Sequence, residues 1–298
     1  MTRPVLAADV GGTQMRAALV DAAGHILVRQ VVPTPADADV PATFTDLMAA
    51  MAAEGAHGAP SHAVVGLPGA VDYQAGRLLW APNLPRQWPE QLSAAGLSAR
   101  LGVPVRIAND ADLAAVGEAF FGAGATSPAV AYLTVSTGIG AGVVHGGRVL
   151  RGTRSLAEMG HAVVDWRAWR DGDPCTVEDL GSGGGLARLA RAAGLDLSGA
   201  RAVEAAAAAG APGAVALWAQ AIAACAAGVS NLVMAFYPST VVIGGGMGRQ
   251  EAFFTPLRDM VLQRPHHHPD DLVIVRSALG DDAGLSGAAA WDAATTLG

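Results

Sequence analysis

Short apolar runs separated by glycine-rich turns fill the first part of the chain. Apolar runs of roughly four to eight residues bounded by turn residues are typical of strands, whereas apolar residues three and four positions apart are typical of helices. The pattern predicts a three-stranded meander, a helix and a buried strand, at residues 5–8, 16–20, 26–32, 42–53 and 63–66. A proline-rich irregular loop is expected at 76–89, followed by a helix, a strand and a helix at 90–101, 103–108 and 111–121.

The three-strand theme then returns, again with glycines in its first turn. Strands are predicted at 129–135, 141–145 and 148–151, with the glycine-rich turn at 136–140. Two such units favour two related lobes of an α/β fold, each able to hold part of one triphosphate. The remaining pattern predicts helices and strands at 185–193, 200–209, 214–236, 240–243, 272–276 and 284–295.

Composition narrows the class of protein. The chain has 298 residues, 51% of them hydrophobic, which is enough to bury a core. Its net charge of −7 comes from interspersed acidic and basic residues, so no face is suited to nucleic acid or to an anionic membrane. The two cysteines, Cys175 and Cys225, form no disulfide framework, and the first residues lack a secretory signal. We therefore expect a cytoplasmic location.

One long apolar stretch, residues 214–237, needs a separate interpretation. It contains Gln220, Ser230 and Asn231 and is dominated by alanine rather than leucine. A buried helix is therefore favoured over a membrane span.

The first glycine turn is a candidate phosphate site. Asp9 stands where a carboxylate could hold hydrated Mg²⁺, while Gly11 and Gly12 allow close approach of the backbone and Thr13 offers a hydroxyl and an amide. The alternative is a tight hairpin with a solvated aspartate. The second turn, at Thr137 and Gly138, is the matching candidate in the other lobe.

A candidate catalytic base follows a predicted strand at the start of a helix. Asn109 and Asp110 stand at this junction, where side chains project toward ligands at the carboxyl ends of strands. A carboxylate there could serve as a base. The alternative is a helix N-cap made by either residue, and both roles can hold, one for each residue.

Three further polar residues gather after the second meander. Glu158, His161 and Glu178 lie in or beside a loop rich in Gly, Asp and Pro, which is poor material for a core. Single residues of this kind are usually solvated surface groups, so only their combination indicates a site. The run His266-His-His268 is flanked by prolines and is expected to be an exposed loop rather than a metal site.

The chain resembles the repressor, open reading frame and kinase (ROK) family of sugar kinases, within the actin, hexokinase and Hsp70 fold group. The similarity runs from Val5 to about Ala290. The motifs that carry it, in chain order, are Asp9-Val-Gly-Gly-Thr13, Gly66-Leu-Pro-Gly-Ala-Val-Asp72, Ala81-Pro-Asn-Leu84, Asn109-Asp110-Ala-Asp112, Ser136-Thr-Gly-Ile-Gly-Ala-Gly142, Glu158-Met-Gly-His161 and Val242-Ile-Gly-Gly-Gly246.

The resemblance implies a two-lobed actin-like ATPase (ribonuclease H-like) fold with a cleft between the lobes. The small N-terminal lobe would be 1–108 plus 285–298 and the large C-terminal lobe 109–284. Asp110 would be the base, and the sugar site would further contain Gly69, Asn83, Asn109, Glu158, His161 and Glu178. ATP, with Mg²⁺ near Asp9, would be bound by Gly11, Gly12, Thr13, Thr137, Gly138, Gly244, Gly245 and Gly246. A homodimer is also implied.

One departure from the family pattern concerns zinc. Many members hold a zinc ion with a histidine and three cysteines, in a pattern resembling Cys-x-Cys-Gly-x-x-Gly-Cys-x-Glu. When Glu178 is aligned with the final Glu, Thr176 occupies the last cysteine position and Cys175 falls one residue early. One thiol cannot form a site that needs three, so no structural zinc is predicted. Trp166 and Trp169 are expected to pack the loop instead.

The resemblance leaves several functions to compare. The first is ATP-dependent phosphorylation of the 6-hydroxyl of a hexose, with glucose preferred. N-acetylmannosamine or another amino sugar is the alternative substrate, and polyphosphate is the alternative donor. A sugar-sensing repressor would need an added DNA-binding module of roughly 60 to 80 residues, and because strand one begins at Val5 that function is disfavoured.

Overall fold

Two five-stranded sheets organise the chain, and both have the same order of strands. The computed structural model describes residues 3–35, 40–81, 92–264 and 268–296. Up to residue 121 the elements are β1 (Val5–Val10), β2 (Gln14–Val20), β3 (Ile26–Pro33), α1 (Val40–Ala52), β4 (Ala63–Leu67), β5 (Ala70–Asp72), β6 (Arg77–Trp80), α2 (Ala94–Leu101), β7 (Val105–Asn109) and α3 (Asp110–Phe121). The later elements are β8 (Ala129–Val135), β9 (Ile139–His145), β10 (Arg148–Val149), α4 (Trp166–Asp171), α5 (Val177–Gly181), α6 (Gly183–Ala192), α7 (Ala200–Ala208), α8 (Pro212–Phe236), β11 (Thr240–Gly244), α9 (Glu251–Leu262), β12 (Val273–Arg276) and α10 (Ala283–Thr295), with short 3-10 helices at Met159–His161 and Gly280–Asp282.

The strand orders are β3-β2-β1-β4-β7 and β10-β9-β8-β11-β12. In the first sheet β1, β2 and β3 form an antiparallel meander, and β1, β4 and β7 run parallel. In the second sheet β8, β11 and β12 run parallel and β9 pairs antiparallel with β10. The predicted repetition of the three-strand theme is therefore confirmed at the level of topology.

Contacts between residues divide the chain into two compact units. Unit 1 comprises Met1–Thr126, Gly142–Leu156 and Asp282–Gly298, and unit 2 comprises Ser127–Ala141 and Ala157–Asp281. This division differs from the lobes expected from the sequence, because α3 and the segment after Ala141 pack within unit 1. The functional lobes 1–108 plus 285–298 and 109–284 remain a prediction.

Most predicted elements are present within a few residues of their expected ends. Hairpin β5–β6 occupies the region around residue 76, where an irregular loop was expected; the rest of that loop, 82–89, lies outside the described residues. Asp72 forms the hairpin turn, since its Oδ1 accepts from the amides of Gln74 and Ala75. The structure also contains α4, α5 and α9, which the apolar pattern did not predict. Helix α2 begins at Ala94, after the N-cap Ser93, rather than at residue 90.

In unit 1, α1 buries its apolar face against the first sheet. Phe44 and Met48 are fully buried there, as are Leu6, Met15 and Leu19 of the strands. The α1 pair is four positions apart, so both members lie on one side of the helix. The helical spacing seen in the sequence therefore corresponds to this core.

Helices α3 and α10 approach each other closely enough for their backbones to touch. A Cβ atom at Gly117 would overlap the carbonyl oxygen of Ala283, and one at Gly287 would overlap the carbonyl oxygen of Leu113. Glycine at these positions is therefore required by space rather than by backbone angle, since neither has a positive φ. The contact fixes α3, which begins with the candidate base Asp110.

In unit 2 the long helix α8 forms part of the core. Among the described residues it is the one helix long and apolar enough to cross a membrane, and half of its most apolar window is buried inside the structure. Trp218 of α8 packs edge-on against Phe253 of α9, with ring centroids 5.3 Å apart. These contacts favour the buried-helix interpretation of this segment.

We expect Gly287→Ala to lower the free energy of unfolding by about 3 kcal/mol, because its Cβ would separate α3 from α10. Gly284→Ala in the same helix is the matched control, since its nearest neighbour would be the carbonyl oxygen of Asp110 at 3.9 Å. That variant should be neutral or stabilised by up to about 1 kcal/mol through helix propensity. Urea unfolding compares the two, and equal losses would refute the packing argument.

Candidate functional site

The carboxyl ends of three parallel strands meet at one edge of the unit 1 sheet. Asp9 near the end of β1 is paired in register with Gly66 of β4, and Leu67 at the end of β4 is paired with Asn109 at the end of β7. Side chains that follow such strand ends are directed to the same side of an α/β layer. Asp9 and the Asn109-Asp110 junction therefore share this edge.

Asn109 caps α3 and leaves Asp110 open to solvent. The Oδ1 atom of Asn109 accepts from the amides of Ala111 at 2.9 Å and Asp112 at 3.1 Å. Asn109 is buried, whereas Asp110, the first residue of the helix, is exposed, with its Oδ1 accepting from the Ala111 amide at 2.8 Å. Asn109 is therefore the N-cap, and Asp110 presents a carboxylate at the helix N-terminus, where its role as a base stays a prediction.

Gly69 is joined to the same junction. Its carbonyl oxygen accepts from Nδ2 of Asn109 at 3.0 Å, and its φ is +85°. A Cβ atom at Gly69 would overlap the carbonyl oxygen of Trp80, so this position admits only glycine. The other predicted sugar residue of this region, Asn83, lies outside the described residues.

A buried carboxylate behind the junction was not identified from the sequence. Asp112 is 0% exposed and accepts from the Tyr73 hydroxyl at 2.5 Å and the Ser155 hydroxyl at 3.0 Å. The Tyr73 oxygen in turn accepts from the Asn109 amide at 3.1 Å. Burial, together with the charge of Asp112, raises the pKa of Tyr73 well above its usual value, so the hydroxyl stays protonated and can donate.

The first glycine turn is a compact and exposed hairpin. The amide of Gly11 donates to the carbonyl oxygen of Gln14 at 2.8 Å, and the Thr34 hydroxyl donates to the carbonyl oxygen of Gly11 at 2.7 Å. Gly11, Gly12 and Thr13 are all exposed. Backbone in this arrangement is accessible to an anion, as expected for a phosphate turn.

Asp9 forms a two-point ion pair with Arg16, its cross-strand neighbour. Nε of Arg16 donates to Oδ1 of Asp9 at 2.9 Å, and a second guanidinium nitrogen donates to Oδ2. A two-point contact of this kind fixes the plane of the carboxylate. The sequence held the signal for this pair, since the hairpin register follows from the length of the turn, but the pair was not predicted.

In unit 2 the second glycine turn lies on the N-terminus of α6. The carbonyl oxygens of Ser136 and Thr137 accept from the amides of Gly183 and Gly184 at 2.8 and 2.9 Å. Thr137 is exposed. A Cβ atom at Gly138 would lie 2.8 Å from Oε2 of Glu178, so the Glu178 side chain packs closely against this turn.

Glu178, His161 and Glu158 are brought to the same part of unit 2. Oε2 of Glu178 accepts from the amide of Ile139, just after the turn, at 2.8 Å. The amide of His161 donates to the carbonyl oxygen of Glu158 at 3.1 Å, and His161 and Glu158 are both exposed. Pairing of the Val177 amide with the Ala162 carbonyl oxygen places Glu178 beside this segment. The structure therefore groups the three predicted polar residues with the second turn.

Gly244 is the last residue of β11, Gly245 and Gly246 follow it, and the three lie beside the end of β8. Gly245 has a φ of +79°, and a Cβ atom there would overlap the carbonyl oxygen of Val135. The same oxygen accepts from the amides of Met247 and Gly248 at 3.1 and 3.0 Å. Because Val135 immediately precedes the turn at 136–138, the predicted adenosine segment and the second phosphate turn are neighbours within unit 2.

The loop that would hold zinc in many family members is held by hydrogen bonds. Thr176 caps α5 reciprocally with Asp179, and Asp165 caps α4 through the amides of Arg167 and Ala168. Burial raises the pKa of the Cys175 thiol, and the carboxylates of Asp179 and Asp165 raise it further, which disfavours the thiolate that zinc requires. The residues of this loop do not fit a closed zinc site.

The expected packing of two tryptophans in this loop is wrong. Trp166 and Trp169 are 59% and 65% exposed. The caps and backbone bonds described above hold the loop without them, so α4 can direct both indoles outward. The guanidinium of Arg167 lies over the Trp166 ring at 4.5 Å.

The fold and the motifs together place the chain among the actin-like ATPase folds. The ROK family sequence profile matches residues 5–294, nearly the whole chain. The protein belongs to the ROK family.

Three proteins illustrate what the chain is similar to within that family. The chain is 37% identical to the bifunctional enzyme NanE/NanK of Brucella melitensis over 96% of its length, and it spans about half (53%) of that relative. It is 30% identical to the N-acetylmannosamine kinase of Citrobacter koseri, covering 95% of this chain and 97% of that one. A ROK family glucokinase from Streptomyces griseus, solved with glucose and AMPPNP, shares 30% identity and a TM-score of 0.79, covering 96% and 98% of the two chains.

We expect the purified protein to contain less than about 0.1 zinc per chain and to keep its melting temperature after treatment with EDTA, because Thr176 and Asp179 hold the loop by capping. Elemental analysis and thermal unfolding measure the two quantities, with a zinc-containing protein carried through the same purification as the control. A stoichiometric zinc content would contradict the interpretation of this loop.

Proposed function

We propose that the protein is an ATP-dependent sugar kinase that phosphorylates the 6-hydroxyl of a hexose, with glucose as the preferred substrate. The observation that carries the proposal is the exposed Asp110 carboxylate at the N-terminus of α3, beside Asn109, which caps that helix, and on the same sheet edge as Asp9. The S. griseus glucokinase with glucose and AMPPNP supports both the substrate class and the donor.

The proposed reaction needs alignment and charge neutralisation more than covalent chemistry. Asp110 accepts the proton of the sugar hydroxyl as that oxygen attacks the terminal phosphoryl group of ATP. The Oδ1 atom of Asn109 accepts from two amides of α3, and Nδ2 donates one hydrogen to the carbonyl oxygen of Gly69. One Nδ2 hydrogen is left for a sugar hydroxyl, so we assign Asn109 chiefly to positioning.

The phosphates are assigned to the backbone of the two glycine turns. In unit 1 these are the exposed residues Gly11 to Thr13. Asp9 is the residue that would hold Mg²⁺; because both of its oxygens accept from Arg16, it would hold the hydrated ion, which would neutralise phosphate charge when bound. In unit 2 the donors are Thr137 and Gly138, with Gly244 to Gly246 near the adenosine.

Sugar hydroxyls require paired hydrogen-bond partners, and we assign these to Glu158, His161 and Glu178, together with Gly69 and Asn83. Oε2 of Glu178 is engaged by the Ile139 amide, so Oε1 is the atom assigned to the sugar. A carboxylate fixed in this way can discriminate between hydroxyl positions, because a misplaced hydroxyl leaves a polar group unpaired. The homodimer, the cytoplasmic location and the absence of nucleic-acid and membrane partners stay predictions.

We expect Asp110→Asn to lower kcat by at least about a hundredfold while the sugar dissociation constant changes by less than about threefold, because only the proton acceptor is lost. Coupled ADP release measures turnover, and calorimetry measures sugar binding. Asp72→Asn, in the hairpin turn of the same unit, is the matched control and should keep wild-type turnover. Near-normal turnover of Asp110→Asn would refute the base assignment.

We expect glucose with ATP to give the highest kcat/KM in a panel of hexoses, amino sugars and cyclitols. N-acetylmannosamine is the second candidate, favoured by the 30% identity to the C. koseri N-acetylmannosamine kinase. Discrimination of about tenfold or more between the two sugars would decide the substrate, since one added group is commonly worth that much. Repeating the panel with polyphosphate decides the donor.

A further inference from the structure

The buried carboxylate of Asp112 has no part in the reaction proposed above. It lies in the first turn of α3, two residues after Asp110, and is completely enclosed. Enclosing a carboxylate is unfavourable unless hydrogen-bond donors replace water. Tyr73 and Ser155 supply two such donors, at 2.5 and 3.0 Å.

The two donors differ in what else they hold. The Tyr73 oxygen also accepts from the amide of Asn109 at 3.1 Å, so this hydroxyl joins the buried carboxylate to the residue that precedes the proposed base. Ser155 donates its hydroxyl to Asp112 at 3.0 Å. Of these two donors, Tyr73 is the one whose hydroxyl also binds the Asn109 amide at the β7–α3 junction.

The Tyr73 ring is itself fixed in place. The backbone amide of Tyr73 donates to the carbonyl oxygen of Thr153 at 2.9 Å. The centroid of the Tyr73 ring lies 5.9 Å from that of the Trp291 ring. The guanidinium of Arg151 stands over the same ring at 4.7 Å from the centroid. A phenol held on several sides can define the position of the atoms that it binds, which a freely rotating side chain cannot.

We propose that Tyr73 and Asp112 are positioning residues for catalysis: through the Tyr73 hydroxyl they hold the backbone of Asn109 and so set the place of the Asp110 carboxylate. This inference rests on the proposed function, because it assumes that Asp110 is the base. Displacing a catalytic group by about 1 Å is enough to lower turnover strongly without abolishing binding.

The test compares Tyr73→Phe with Ser155→Ala. Each variant removes one hydroxyl donor from Asp112, but only Tyr73→Phe removes the acceptor of the Asn109 amide. We expect Tyr73→Phe to lower kcat by about tenfold to a hundredfold with the sugar KM within about threefold of wild type. Ser155→Ala should keep kcat within about twofold of wild type. Its free energy of unfolding should fall by about as much as that of Tyr73→Phe, because each variant loses one hydrogen bond to Asp112. Equal effects on kcat, or losses that follow stability in both variants, would overturn the proposal.

A conservative pair at Asp112 keeps the test decisive if a variant folds poorly. Asp112→Asn retains an oxygen that can accept from Tyr73, whereas Asp112→Ala does not. We expect kcat of Asp112→Asn to be at least about tenfold higher than kcat of Asp112→Ala. Equal kcat values for the two variants would overturn the role of this carboxylate.

Amide hydrogen exchange separates this proposal from the function on which it rests. In ¹⁵N-labelled protein the Asn109 amide should exchange at least about tenfold faster in Tyr73→Phe than in Ser155→Ala, because its acceptor is gone only in the former. Unchanged exchange would overturn the link. If instead the wild-type protein phosphorylated no sugar in the panel, the proposed function would fail, and the exchange comparison would still decide whether the link exists.

Discussion

The side chain of Asn109 satisfies the backbone groups that the junction of β7 and α3 would otherwise leave unpaired. A helix begins with several amides that have no partner in the helix itself, and a buried amide without a partner is unfavourable. Asn109 pairs with two of these amides and also with the Gly69 carbonyl oxygen. Because this cap is made by the residue before it, Asp110 stays exposed and presents its carboxylate at the positive end of the helix. The rest of the candidate site in unit 1 depends on this arrangement, in which Asn109 caps the helix and Asp110 presents the carboxylate.

Unit 2 meets a related constraint by close packing of backbone. Glycines at 138, 160 and 245 occupy positions where a Cβ atom would meet Glu178, Ile139 and Val135 respectively. The space they leave lets the turn after β8, the segment around His161 and the segment after β11 lie against one another. Polar side chains can then bind the backbone of a neighbouring segment directly, as Glu178 binds the Ile139 amide. The glycines in this part of the sequence therefore allow a polar cluster to assemble, and they do not indicate an irregular segment.

Local patterns were enough to predict the strands of the two five-stranded sheets and the two glycine turns, and they offered an N-cap at Asn109 or Asp110, since each depends on neighbours in sequence. The contact of Tyr73 with Asp112 joins residues 39 positions apart, and no periodicity reports such a pair. A carboxylate at Asp112 amid the apolar residues of α3 was the available signal, because a buried charge requires partners. The short helices α4 and α5 escaped prediction for another reason: polar caps at Asp165 and Thr176 stabilise them, rather than an apolar stripe. The exposed tryptophans of α4 were also beyond prediction, since the size of an indole does not say which face of a short helix is buried.

The two three-strand sets share one topology but differ in the charge they present. The first hairpin carries Asp9, and Arg16 on the neighbouring strand balances that carboxylate. The second turn carries no charge of its own; Glu178 lies behind it and is bound to its backbone. A guanidinium that binds both oxygens offsets the charge of Asp9, whereas Glu178 is bound by a neutral backbone amide. The repeated topology therefore supports unequal electrostatics: an ion pair lies beside the first turn, and a carboxylate held by backbone lies beside the second.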